Sequence, residues 1–161
     1  MFIIDTLFLC IIDYLSLAAV FYPYKTNLIQ MMIAKDTLNF ILEVSKSSAP
    51  REFAGMLSAE GDVITDVVIV PGTESSEENA VMRLFMLPNI HTVGTVHSHP
   101  SPNNRPSRAD LELFEEKGLY HIIVASPFDV SSWACYNNKG EPVSLPVIDY
   151  DFKDDDDAQF Q

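Results

Sequence analysis

Between Ala34 and Pro50 the inward-type residues Leu38, Ile41, Leu42 and Ser45 recur three and four apart. Lys35, Asp36, Asn39, Glu43 and Lys46 fall mostly on the other side. That spacing predicts an amphipathic helix, stopped by Pro50. Beyond it the pattern changes to short apolar runs broken by turn residues, which reads as strands. Strands are expected over 52–58 and 63–70, joined by a turn at Glu60, Gly61 and Asp62. A polar loop over 71–79, a strand over 80–86 and a Val/Thr-rich strand over 91–97 follow. After a proline-rich loop over 99–106, a second helix is expected over 107–117, closed by Gly118. Strands over 120–125, 130–136 and 142–148 complete the pattern, with a turn at Asn138, Lys139 and Gly140. Mixed strands and helices predict an α/β domain, a sheet covered by helices.

Residues 2–22 do not fit this pattern. They form an almost wholly apolar run, long enough to span a bilayer. Asp5 and Asp13 interrupt it, and a mid-membrane Asp costs roughly 2.5–3.5 kcal/mol. The run lacks the basic start and cleavage site of a signal peptide. Three readings stay open for residues 1–31: an upstream mis-start of translation before Met31 and Met32, a membrane anchor, or an extra packed helix. Lys25 and Lys35 after the run would leave the remainder in the cytoplasm.

The chain has 161 residues and a formal net charge of −13. A surplus of that size disfavours nucleic acid as a partner, because phosphate contacts need clustered Lys and Arg. Part of the charge sits in a tail over 149–161, which is expected to be solvated. Cys10 and Cys135 are too few for a disulfide framework or a Cys-based zinc site.

The chemistry concentrates between His97 and Asp110. His97 and His99, two apart at the end of a strand, point to the same face. Their imidazoles can hold one Zn²⁺, and a carboxylate from Asp110 in the first turn of the next helix can supply a third ligand. Three protein ligands leave a fourth position for water, the arrangement of a catalytic rather than a structural zinc. Each part also has a plainer reading. His-x-His on a strand is often only two polar residues, and Ser107 with Asp110 makes a plausible N-cap pair. The two readings are compatible, since a capped helix fixes where Asp110 points. His91 and His121 have no matching spacing and read as core or surface residues.

His97-Ser-His99-Pro100, a seven-residue stretch from Pro100 to Pro106, Ser107, two residues and Asp110 together resemble the signature of the JAMM (MPN-plus, JAB domain) zinc metalloproteases. Glu52, three positions before Gly55, fits the context of the upstream Glu of that family. The likeness extends over about residues 32–148, which look like the compact archaeal members. It implies an MPN domain, a cytidine-deaminase-like mixed sheet packed between helices. It further implies one zinc ion per chain on His97, His99 and Asp110, Glu52 as general base and Ser107 as oxyanion donor.

The implied activity is cleavage of the isopeptide bond between the C-terminal Gly of a ubiquitin-like modifier and a Lys or other amine. Such an enzyme would be deubiquitinase-like or desampylase-like, with ubiquitin-like conjugates as its partners. A JAMM peptidase acting on another carrier, such as a sulfur-carrier protein, uses the same chemistry. A non-catalytic scaffold would have lost a ligand or the Glu. A zinc deaminase would need His-x-Glu and Cys-x-x-Cys, neither of which is present. The expected layout is an extension over 1–31, a catalytic domain over 32–148 and an acidic tail over 149–161. A membrane would be reached only through residues 2–22.

Overall fold

The computed structural model describes residues 30–69 and 92–152. The apolar run at 2–22, the expected loop at 71–79, the expected strand at 80–86, His91 and the tail beyond 152 lie outside them. Ten elements follow in chain order: β1 Met32–Ala34, α1 Lys35–Ser48, β2 Ala54–Glu60, β3 Val63–Ile69, β4 Gly94–His99, α2 Arg108–Glu116, β5 Tyr120–Ala125, β6 Trp133–Tyr136, β7 Pro142–Val143 and β8 Val147–Ile148. The eight strands make one mixed sheet in the order β7-β6-β5-β4-β2-β3-β1-β8.

The sheet curls, and chain connectivity requires it. β7 and β8 lie at opposite ends of the strand order, yet only Ser144, Leu145 and Pro146 join them. Four Cα steps reach about 14 Å. Seven strand spacings of about 4.8 Å would separate the edges of a flat sheet by about 34 Å. The two edges therefore come close together, and Leu145 is buried in the core. The single strand expected over 142–148 is two short ones for this reason. β7 pairs with β6, whereas β8 pairs with β1, where Ile33 N–H donates to the Pro146 carbonyl.

α1 buries the expected stripe. Thr37, Leu38, Ile41, Leu42 and Ser45 face inward, and their polar members are satisfied. Thr37 donates to the Thr65 carbonyl at 2.6 Å and Ser45 to the Ile41 carbonyl at 2.7 Å. The apolar members join Val96, Ile122 and Val124 in the main core. The alternate positions of β5 and β6 point the other way, where Ile123 and Tyr136 pack with Phe114 of α2. The two helices thus serve opposite faces of the sheet.

Strand limits differ from expectation where pairing overrides local pattern. β4 runs through His99 because its parallel register with β5 continues from Gly94↔Tyr120 to His99↔Ala125. β6 begins only at Trp133, because a turn held by Asp129 takes residues 129–132. Gly118 ends the α2 segment as expected, with a φ of +100° that only glycine adopts without strain.

Candidate metal centre

β4 is the strand that carries the centre. Its alternation puts Val96 toward the main core and His97 and His99 toward α2. His97 Nε2 and His99 Nε2 face each other at 3.1 Å. Asp110 reaches them from α2, with Oδ1 3.1 Å from His97 Nε2 and Oδ2 3.6 Å from His99 Nε2. All three residues are buried, and their ligand atoms lie within 4.8 Å of one another.

Zinc fits this group. With bonds of about 2.0–2.1 Å, the edge of a ligand tetrahedron is about 3.3 Å, close to the 3.1 Å of both His97 Nε2–His99 Nε2 and His97 Nε2–Asp110 Oδ1. Two imidazoles and one carboxylate are also a donor set that suits zinc.

The helix start aims Asp110. Ser107 Oγ accepts from Asp110 N–H at 3.2 Å, and Asp110 Oδ2 accepts from Ser107 N–H at 2.7 Å. This is a reciprocal capping box. The capping role and the metal role therefore coexist on one carboxylate.

A second partner orients the His99 imidazole. His99 Nδ1 lies 2.8 Å from the Asn103 carbonyl, which fixes Nδ1 as the donor and leaves Nε2 free to ligate. His97 Nδ1 is buried with no hydrogen-bond partner among the described residues, and its ring sits 6.5 Å from that of Phe114. Burial works to raise the Asp110 pKa. Hydrogen bonds from His97 and His99, the His97 charge and the Ser107 N–H outweigh it and hold the carboxyl well below the usual range. For His99, burial lowers the pKa, but Asp110, the Asn103 carbonyl and the Glu52 charge raise it overall.

Glu52 lies just before β2 and is buried. The antiparallel register Ala54↔His97 continues past the strand end, with Phe53 N–H donating to Ser98 Oγ at 2.8 Å and Ser98 N–H to the Phe53 carbonyl at 2.9 Å. Counting on from it places Glu52 opposite His99, on the face that carries both imidazoles. All five residues singled out in the sequence thus belong to one neighbourhood.

Three further residues had no motif to announce them. Asn103 acts through its backbone carbonyl, to which side-chain identity is no guide. Tyr136 OH donates to the Asn104 carbonyl at 2.9 Å, across 32 residues. His121 is fully buried beside Thr95, whose Oγ1 lies 2.9 Å from its Nδ1, and it stacks on Phe114 at 4.0 Å.

Residues 34–136 match a family model described as prokaryotic homologs of the JAB domain. This chain belongs to the JAMM (JAB) metalloprotease family. A "probable metalloprotease" from Haloferax volcanii is 41% identical over 133 residues, covering 76% of this chain and 82% of that protein. A solved structure presented as a JAMM metalloprotease-like zinc site in the proteasome and signalosome is 42% identical. Its TM-score is 0.62, with 74% of this chain and 99% of that one covered. A JAB1/MPN domain protein from Archaeoglobus fulgidus is 44% identical with a TM-score of 0.61, covering 74% of this chain and all of that one. As a JAMM protein with the His97–His99–Asp110 group in place, the chain takes a single zinc ion.

Among the described residues no helix is long and apolar enough to cross a membrane.

Proposed function

We propose that this JAMM protein is a zinc-dependent isopeptidase. Its substrate would be the bond between the C-terminal Gly of a ubiquitin-like modifier and a Lys or other amine, and it would act in the cytoplasm. The observation that carries the reading is the convergence of His97, His99 and Asp110 with a buried carboxylate, Glu52, on the same sheet face. Zinc held by the three ligands would lower the pKa of a bound water to about 7.

The chain's own residues do the rest. Glu52 takes the proton of the attacking water and returns it to the leaving amine. A shuttle of this kind contributes typically 10²–10⁴-fold. Ser107 donates to the oxyanion that develops on the substrate carbonyl. A hydroxyl has one donor hydrogen and two acceptor lone pairs. The cap uses a lone pair, for Asp110 N–H at 3.2 Å, so the O–H stays available to the substrate.

The test is a panel of ubiquitin-like conjugates incubated with purified protein, with and without a chelator, the cleaved bond being identified by mass spectrometry. Chelator-sensitive release of a modifier ending in free Gly is expected. Cleavage at other bonds, or cleavage indifferent to chelator, would overturn the reading.

A further inference from the structure

We infer that Tyr136 is a positioning residue for the metal centre, acting through the loop that orients His99. The Pro100–Pro106 loop leaves β4 directly after His99 and returns at Ser107, so it joins a ligand to the helix that carries another. Among the described residues its hydrogen bond to the metal group comes from the backbone. The Asn103 carbonyl, 2.8 Å from His99 Nδ1, sets both the tautomer and the ring angle of that ligand. A carbonyl on a loop does this only as well as the loop is held.

Among the described residues, hydrogen bonds on two sides hold it. On one side Ser126 N–H is shared between the Ser101 carbonyl at 3.1 Å and the His99 carbonyl at 3.2 Å. On the other, Tyr136 OH donates to the Asn104 carbonyl at 2.9 Å, one peptide from the carbonyl that faces His99. Within the loop, Arg105 N–H donates to Asn103 Oδ1 at 3.1 Å.

Tyr136 is itself firmly seated. Its ring stacks on Phe114 with centroids 6.4 Å apart, and it is paired in β6 with Pro142 and His121. The turn that follows is bonded internally, Asn137 N–H donating to the Glu141 carbonyl at 2.9 Å and Gly140 N–H to the Asn137 carbonyl at 2.9 Å. The hydroxyl therefore transfers the rigidity of the sheet to a loop that has no regular structure.

The inference rests on His99 being a zinc ligand, and the experiment keeps the two apart. Zinc affinity is measured by competition with a chelator, and folding stability separately on zinc-free protein in urea. Tyr136→Phe keeps the ring and removes only the hydroxyl. Partners one step behind a zinc ligand are typically worth 10–100-fold in affinity. A contact one step further back is expected to cost about tenfold, with zinc-free stability little changed. Asn103→Ala removes the Arg105 anchor from the same loop without touching the core, and should weaken zinc several-fold. Because both changes release one carbonyl, the double variant should be less than additive.

Leu57→Ala, in the core on the other face, should lower stability and leave zinc affinity as it was. If wild-type protein takes up no zinc, the metal reading itself fails. If wild type binds and both Tyr136→Phe and Asn103→Ala bind as tightly, the clamp alone is wrong. If Tyr136→Phe does not fold, Asn103→Ala decides.

Discussion

The two faces of the same sheet are built to different rules. Toward α1, Val96, Ile122 and Val124 meet Leu38, Ile41 and Leu42 in a continuous apolar layer. Toward α2, the neighbouring positions on the same strands are Thr95, His97, His99 and His121, with Phe114, Ile123 and Tyr136 as the apolar filling. A strand's period of two makes this division possible, because each residue's face is set by parity alone. Burial of apolar area on the α1 side stabilises the fold. The α2 side keeps titratable groups away from water, at a desolvation cost that hydrogen bonds must offset.

That contrast can be broken from either side. The largest stability effect belongs on the α1 face. Ile41→Ala should cost about 2–5 kcal/mol, the range for large-to-small changes in a packed core, while zinc content stays at wild-type level. Chemical denaturation and elemental analysis of the same sample check it. A core variant that loses zinc would show that the faces are not separable.

Ser107→Ala should show the opposite profile. Turnover should fall by roughly 10²–10³, and stability by only about 0.5–2 kcal/mol for the lost cap. Ser107→Asp sharpens the test, since Asp caps a helix well but sets negative charge where the proposed oxyanion would form. A stable, active Ser107→Asp protein would leave Ser107 with the capping role alone.

Acid sensitivity is the most conditional difference, since it shows only at low pH. Burial pushes the His121 imidazole down to about 4, from about 6.5 in the unfolded chain. Between those values the unfolded chain binds the extra proton, so stability falls as pH falls through that window. The loss by its lower end is on the order of 3 kcal/mol. In zinc-free protein, His121→Gln should flatten the acid limb of the stability curve between about pH 6.5 and 4. An acid limb of unchanged slope would place the sensitivity elsewhere.

The metal group was legible in the sequence because each of its relations is local. Strand parity puts His97 and His99 on one face, and a capping box ties Asp110 to Ser107 at a fixed offset. The stripe on α1 was legible for the same reason, down to the back-bonded Ser45. What was not legible depends on pairing at a distance. Nothing near Val147 says that it will lie beside Ile33, and so the strand expected over 142–148 hid the closure of the sheet. Tyr136 reads locally as one more aromatic in a strand, and its hydroxyl finds Asn104 only once β6 stands next to β5. His121 sits in the apolar run Tyr120–Ala125, a hint of burial that without Thr95 opposite pointed to no partner.

Glu52 joins the two descriptions, since it is placed by strand register and lies on the metal side. The most direct test is zinc content measured alongside turnover of a ubiquitin-like conjugate in Glu52→Gln, with Asp110→Ala as the comparison. The account predicts a full zinc complement and no turnover for Glu52→Gln, because a proton shuttle lies outside the ligand set, and depleted zinc for Asp110→Ala. A Glu52→Gln protein that loses zinc as Asp110→Ala does, or one that turns substrate over at the wild-type rate, would contradict it.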